Sequence, residues 1–332
     1  MSKPWVLLAL FLGGAGCTGA VDHQGSRGAA PRPTGDASEG VASSSGPRDI
    51  DLDEAAVVAP SPHEATAFYV WIRDPAGVPK THRLDAAGRV LETLDGIYVA
   101  TGAGAWQWRE QVLAVPTTAC ERYDDEGHVS RGPDPDPGAA TRVTLANMTT
   151  GAEQTIVDGV PDADGAESYV DGVELLGSVG PYLFVRRFTD IYACGAHGLA
   201  GASVTIWDAS KGDVVGMPAA ASFEQARASA LLELNEGDDG FPATEESLAF
   251  TALMPRFAHD GALQTDLQFS SHTCYACSFG EGGSYTKSSV VPADHVVEPF
   301  ASYAFAPDGV RAFLATKLGF TVGGWSEAGG HR

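Results

Sequence analysis

The chain has 332 residues, of which 43 are acidic and 21 basic, giving a formal net charge of −22 at pH 7. Nucleic-acid binding needs a surplus of Lys and Arg to displace counterions from phosphates, so this balance argues against a nucleic-acid partner. It equally argues against a domain face resting on anionic lipid.

Read in chain order, the first element is an export signal. Lys3 supplies a positive charge, Val6–Leu12 form a short apolar core, and Gly13, Gly14, Ala15 and Gly16 lead to Cys17. Such a core is far shorter than the roughly 20 residues that span a bilayer. A positive start, apolar middle and small-residue end mark a cleaved signal over residues 1–16. The Cys after the small run resembles the lipobox of bacterial lipoproteins, although Gly14 stands where that family usually has Leu. The resemblance implies that Cys17 begins the mature chain, carries palmitate-like acyl chains and anchors the protein to a membrane. Thr18 in place of Asp implies the outer membrane. Residues 17–64 hold mostly Gly, Ala, Ser, Pro and Asp, too little apolar surface to offset ordering entropy, and are expected to form a disordered tether. A coil of about 45 residues reaches about 35–40 Å on average.

Strand signals then dominate residues 65–160: Ala67–Arg73, Arg89–Leu94, Gly96–Thr101, Ala105–Val115, Thr141–Asn147 and Glu153–Val157, punctuated by Gly, Asp and Pro. In Ala105–Val115, Trp106 and Trp108 alternate with Gln107 and Arg109. Over 161–325 the pattern predicts strands at Val170–Leu176, Tyr182–Ile191 and Ala202–Trp207, and a helix at Ser222–Asn235 with Phe223, Ala226, Ala230, Leu231 and Leu234 on one face. Two long strands follow, Leu248–Ala258 and Ala262–Thr273, joined through Asp260-Gly261, a strong hairpin signal. A second helix is predicted over Asp308–Leu318. The expected fold class is α+β: a mainly antiparallel sheet with one or two packing helices, the two regions either separate or one continuous domain.

Between the strands ending at Ile191 and starting at Ala202 lies Tyr192-Ala-Cys194-Gly195-Ala196-His197, followed downstream by Asp208 and Gly212. This resembles the core of the DUF3298-type domain, an exported bacterial family also found in the extracytoplasmic part of the anti-sigma factor RsiV. Cys194 stands where that family has Gly, and a Tyr-x-Phe-x-Pro element recurs at Tyr303–Pro307. The resemblance implies an exported α+β domain without established catalytic residues. From the residues themselves, the glycines around His197 suggest a tight turn that locks the imidazole by backbone hydrogen bonds.

Four cysteines follow Cys17: Cys120, Cys194, Cys274 and Cys277. An even count in an exported chain predicts two disulfides, with Cys120 and Cys194 each expected to join one member of Cys274-Tyr-Ala-Cys277. The alternatives are a four-cysteine zinc site, which His197 and His272 could supplement, a redox Cys-x-x-Cys dithiol, and one bridge with two free thiols. Acidic loops at Asp134-Pro-Asp136 and Asp158–Glu167 give a fragmentary calcium pattern without the full twelve-residue spacing. The common hydrolase, P-loop and dinucleotide signatures do not occur, so no residue is assigned as catalytic and no cofactor is expected. These observations imply a lipid-anchored envelope protein whose ectodomain binds a protein or small-molecule partner, senses or serves structurally. Two alternatives remain open: an exported carboxylate-dependent hydrolase of envelope polymers, and a Cys/His zinc-binding domain.

Overall fold

A computed structural model describes residues 67–332 apart from 124–125, 133–134, 160–165, 193, 195–198, 218–222, 237–241, 275–284 and 330–332. The signal, Cys17 and the tether therefore lie outside the described residues, which belong to one compact unit.

The chain opens with β1 (Ala67–Arg73), β2 (Pro79–Leu84), β3 (Val90–Asp95), β4 (Tyr98–Thr101) and β5 (Gly104–Val115). A small ribbon, β6 (Glu121–Tyr123) with β7 (Val129–Arg131), precedes β8 (Gly138–Asn147) and β9 (Glu153–Val157). Then come β10 (Ser168–Val179), β11 (Tyr182–Tyr192), β12 (Leu199–Asp208), β13 (Asp213–Val215) and the helix α1 (Glu224–Asn235). The final set is β14 (Leu248–Phe257), β15 (Leu263–Cys274), β16 (Tyr285–Pro292), a 3-10 turn at Ala301–Tyr303, α2 (Asp308–Leu314) and β17 (Thr321–Ala328).

This architecture corrects the expected α+β class: strands dominate, and the main sheet is mixed. Twelve strands form it, in the order β13-β12-β11-β10-β17-β1-β2-β3, with β4, β5, β8 and β9 joined through β8. Parallel pairing enters at β10. One edge of β10 runs antiparallel to β11 along its whole length. The other edge is shared, Val170 and Asp171 lying parallel to β8 and Ser178 and Val179 parallel to β17. Strands before and after residue 160 thus belong to a single sheet. A smaller antiparallel sheet, β14-β15-β16, packs with α1.

Alternation along the strands sorts side chains into two cores. Phe68, Val70 and Ile72 of β1 and Phe184 of β11 face α1, α2 and the small sheet, where Leu253, Phe269, Phe300 and Phe313 are buried. Trp71, between Val70 and Ile72, points to the opposite side and meets Trp106, Trp108, Leu145, Leu183 and Val185. An aromatic side chain buries about 150–250 Å², so these Trp residues carry much of that second core. Ala230 and Leu234 of α1 and Phe223 at its N-cap are buried, with Ala226 and Leu231 against them, as the helical spacing predicts. The second helix is shorter than expected. It ends at Leu314 rather than at Leu318, which is 79% exposed. The chain turns out of the helix because Thr316 and Lys317 donate to the carbonyls of Phe313 and Leu314, and Gly319 takes a left-handed φ of 89°.

Tight turns sit where punctuation predicted them. At the β14–β15 junction, Gly261 (φ 80°) donates to the Ala258 carbonyl and Ala258 to that of Ala262, closing the Asp260-Gly261 hairpin. Gly323 meets a different demand: a Cβ there would fall 2.1 Å from the Trp71 ring.

Candidate functional site

The residues singled out by the DUF3298-type motif fall at opposite ends of β11 and β12. At the far end, the Asp208–Gly212 turn joins β12 to β13. The buried Asp208 carboxylate accepts from the Ser210 amide at 2.9 Å and the Ser210 hydroxyl at 2.5 Å, and pairs with Lys211 at 3.2 Å. Its backbone carbonyl accepts from Lys211 and Gly212, while Gly212 takes φ 69°. An Asp that bonds the backbone two residues on, followed by a Gly free to adopt positive φ, is how such a turn closes. The same carboxylate holds the Lys211 ammonium above its ordinary pKa through their hydrogen bond.

Tyr182 lies opposite Asp208 in the β11–β12 register. Its ring packs edge-on against Phe300 (5.1 Å, 88°) and Tyr303 (6.0 Å, 81°), and Tyr303 rests 5.7 Å from Trp325. Gly180 lets this happen, since a Cβ there would lie 2.4 Å from the Tyr303 ring. Burial, chiefly, and then the Asp208 charge push the Tyr182 phenol upward; burial and the Tyr182 and Asp208 charges do the same for Tyr303. Both phenols are therefore protonated donors across the neutral range. Tyr303 of the Tyr-x-Phe-x-Pro element thus joins Asp208, 95 positions earlier in the chain, around Tyr182. Phe305 of that element is 71% exposed, and Pro307 caps α2.

At the near end, Cys194 is bonded to Cys120, with their Cα atoms 5.2 Å apart. This corrects the expected pairing of each with one member of Cys274-Tyr-Ala-Cys277. The segment before Cys120 is drawn to this end of β11 because Thr118 donates to the Ala166 carbonyl and Glu167 donates to that of Tyr192. Cys194 has φ 56°, the one positive-φ non-Gly residue among those described. Glycine adopts this conformation freely, whereas an L side chain is strained in it. Gly195, Ala196, His197 and Cys277 lie outside the described residues, as does the side chain of Cys274. With two of the four sulfurs bonded to each other, Cys120 and Cys194 are not thiolate ligands, so the four-cysteine zinc set is not assembled. Asp134, Asp162 and Asp164 of the acidic loops are also outside the described residues; among those described, no group of three or more His, Cys, Asp or Glu gathers as a metal centre.

One buried charge pair escaped the sequence reading. Asp171 of β10, whose side chain is fully buried, accepts a two-pronged bond from Arg187 of β11, Nε at 2.8 Å and Nη2 at 2.6 Å. That hydrogen bond raises the guanidinium still further above its ordinary range. The two are diagonal neighbours, Asp171 lying opposite Thr189 and Val173 opposite Arg187. An acid sixteen residues before a base on a predicted hairpin was the available signal.

No family model matches the sequence, and no curated protein matches it. Among solved structures, the chain is similar to a DUF3298 family protein from Pseudomonas aeruginosa PAO1, at 14% identity and a TM-score of 0.29, covering 60% of this chain and 95% of that one.

Proposed function

We propose that this chain is an exported envelope protein held by lipid at Cys17, whose β-rich ectodomain binds a partner or senses rather than catalyses. The observation that carries the reading is the Cys120–Cys194 disulfide. Such bonds persist in oxidising compartments and are rare where thioredoxin and glutathione act, so the bond agrees with the export signal at residues 1–16. Asp208 and Tyr303, the motif residues that come together, spend their polar and aromatic groups on a turn and a packing cluster. Those roles suit a scaffold that presents a surface. The outer membrane, favoured by Thr18, is the proposed address.

Growth with a palmitate analogue tests the anchor. The wild-type chain should carry label in the membrane fraction, and C17S should be unlabelled and soluble. An unlabelled wild-type chain overturns lipidation. Release of soluble fragments from purified envelope polymer by the wild-type protein would overturn the non-catalytic role and favour the hydrolase.

A further inference from the structure

We propose that Lys80, His82 and Lys317 form a binding site for a phosphate-class oxyanion where β2 meets the segment after α2. Lys80 and His82 are two apart on β2 and so share a face, opposite Asp95 and Thr93 of β3. From the other side comes Phe313 of α2, whose ring lies 5.0 Å from the imidazole at 51°. Lys317 lays its ammonium over that same ring, 5.1 Å from the centroid, and 5.8 Å from the Phe320 centroid. Cation–π contact on two rings fixes where this charge sits. His82 Nδ1 is tied to Thr93 Oγ1 at 3.0 Å, which orients the ring and leaves Nε2 for a ligand.

The cluster is set apart by its lack of compensation. The chain carries 43 acidic residues against 21 basic, yet among the described residues neither Lys80 nor Lys317 makes an ion pair. Asp95, across from Lys80, is exposed and unpaired with it. Burial first, then the Lys317 and Lys80 charges, hold the His82 imidazole below its usual 6.5. Two ammonium groups and an imidazole that gains a proton when an anion arrives can supply three charged donors. A tetrahedral oxyanion can accept all three, whereas a carboxylate has two oxygens to share. Contact, rather than the long-range field of an acidic chain, then does the selecting.

The test is a proton NMR titration of the His82 ring in the full chain at constant ionic strength, adding inorganic phosphate against chloride. A second arm adds phosphatidylglycerol or phosphatidylcholine vesicles. Saturable shifts and a rise in the His82 pKa with phosphate, but not chloride, are expected. The same response to phosphatidylglycerol alone would identify the phosphate as a lipid headgroup. K80M and K317M, which keep the apolar stems, should each weaken the response on the order of tenfold, as for a lost charge-assisted hydrogen bond. No shift in either arm, or an unchanged response in K80M/K317M, overturns the site.

Discussion

Trp71 Nε1 donates a 2.7 Å hydrogen bond to Ser178 Oγ, joining β1 to β10 across the strand, β17, that separates them. Both residues are fully buried. Removing the hydroxyl leaves an indole N–H with no water to turn to. S178A should therefore cost about 1–3 kcal/mol, the penalty of an orphaned buried donor. Urea denaturation at neutral pH measures it, and a cost below a few tenths would mean that the bond contributes nothing net.

Gly323 lies directly under the Trp71 ring, where a Cβ would approach to 2.1 Å. G323A has to move the indole or the strand, at about 1–3 kcal/mol for overpacking. The same substitution at Gly319, in open space but at φ 89°, tests backbone strain alone and should cost about 1 kcal/mol. Thermal melts of both variants separate collision from strain.

The Cys120–Cys194 bond closes a loop across a separation of 74 residues. Chain entropy gives about 4 kcal/mol for a loop of that size, so reduction should lower the urea midpoint strongly. Cys194 also holds φ 56°, where an L side chain costs roughly 1–2 kcal/mol relative to Gly. C120S/C194G should accordingly be more stable than C120S/C194A by about 1 kcal/mol. Equal stabilities would show that the left-handed conformation relaxes once the bond is gone.

Asp171 is wholly buried while Arg187 reaches the surface, so the two partners are not equivalent. R187A strands a buried carboxylate and should cost about 3–5 kcal/mol. D171N leaves a neutral amide under a half-exposed guanidinium and should cost less. Denaturant titrations that rank the two the other way would contradict this asymmetry.

His82 supplies the pH dependence. Its folded-state pKa lies below 6.5, so the unfolded chain binds the proton more readily, and stability falls as pH drops below that value. H82Q should flatten the melting temperature between about pH 5 and 7. K317M should move the imidazole back toward 6.5. An unaltered His82 titration in K317M would show that the Lys317 charge contributes nothing to the shift.

Much of the fold is legible in residue order because alternation and turn chemistry are local. Ala67–Arg73 is a strand with the predicted bounds, and Asp260-Gly261 closes the hairpin expected of it. β2 (Pro79–Leu84) is too polar to announce itself, being a Lys, His and Arg strand whose inward residues are Thr81 and Leu84. β17 is interrupted by Gly323 and Gly324, which weaken its strand signal and are needed because Trp71 and the Ser178 backbone occupy the space a Cβ would take. Parallel pairing at β10 has no periodic signature at all. The candidate site divides the same way: the Asp208–Gly212 turn is local and visible, whereas the Cys120–Cys194 pairing and the meeting of Lys317 with His82 depend on where distant segments dock.

The shared edge of β10 also dictates an order of assembly. β17 lies between β1 and β10, pairing with the first described strand of the chain although almost the whole described length separates them. The central sheet cannot be completed until residues 321–328 have been made and delivered. Until then, β1 and the end of β10 are unpaired edges around a gap. Contacts of such long sequence separation form slowly, so closure of the sheet by β17 is expected to be a late step of folding.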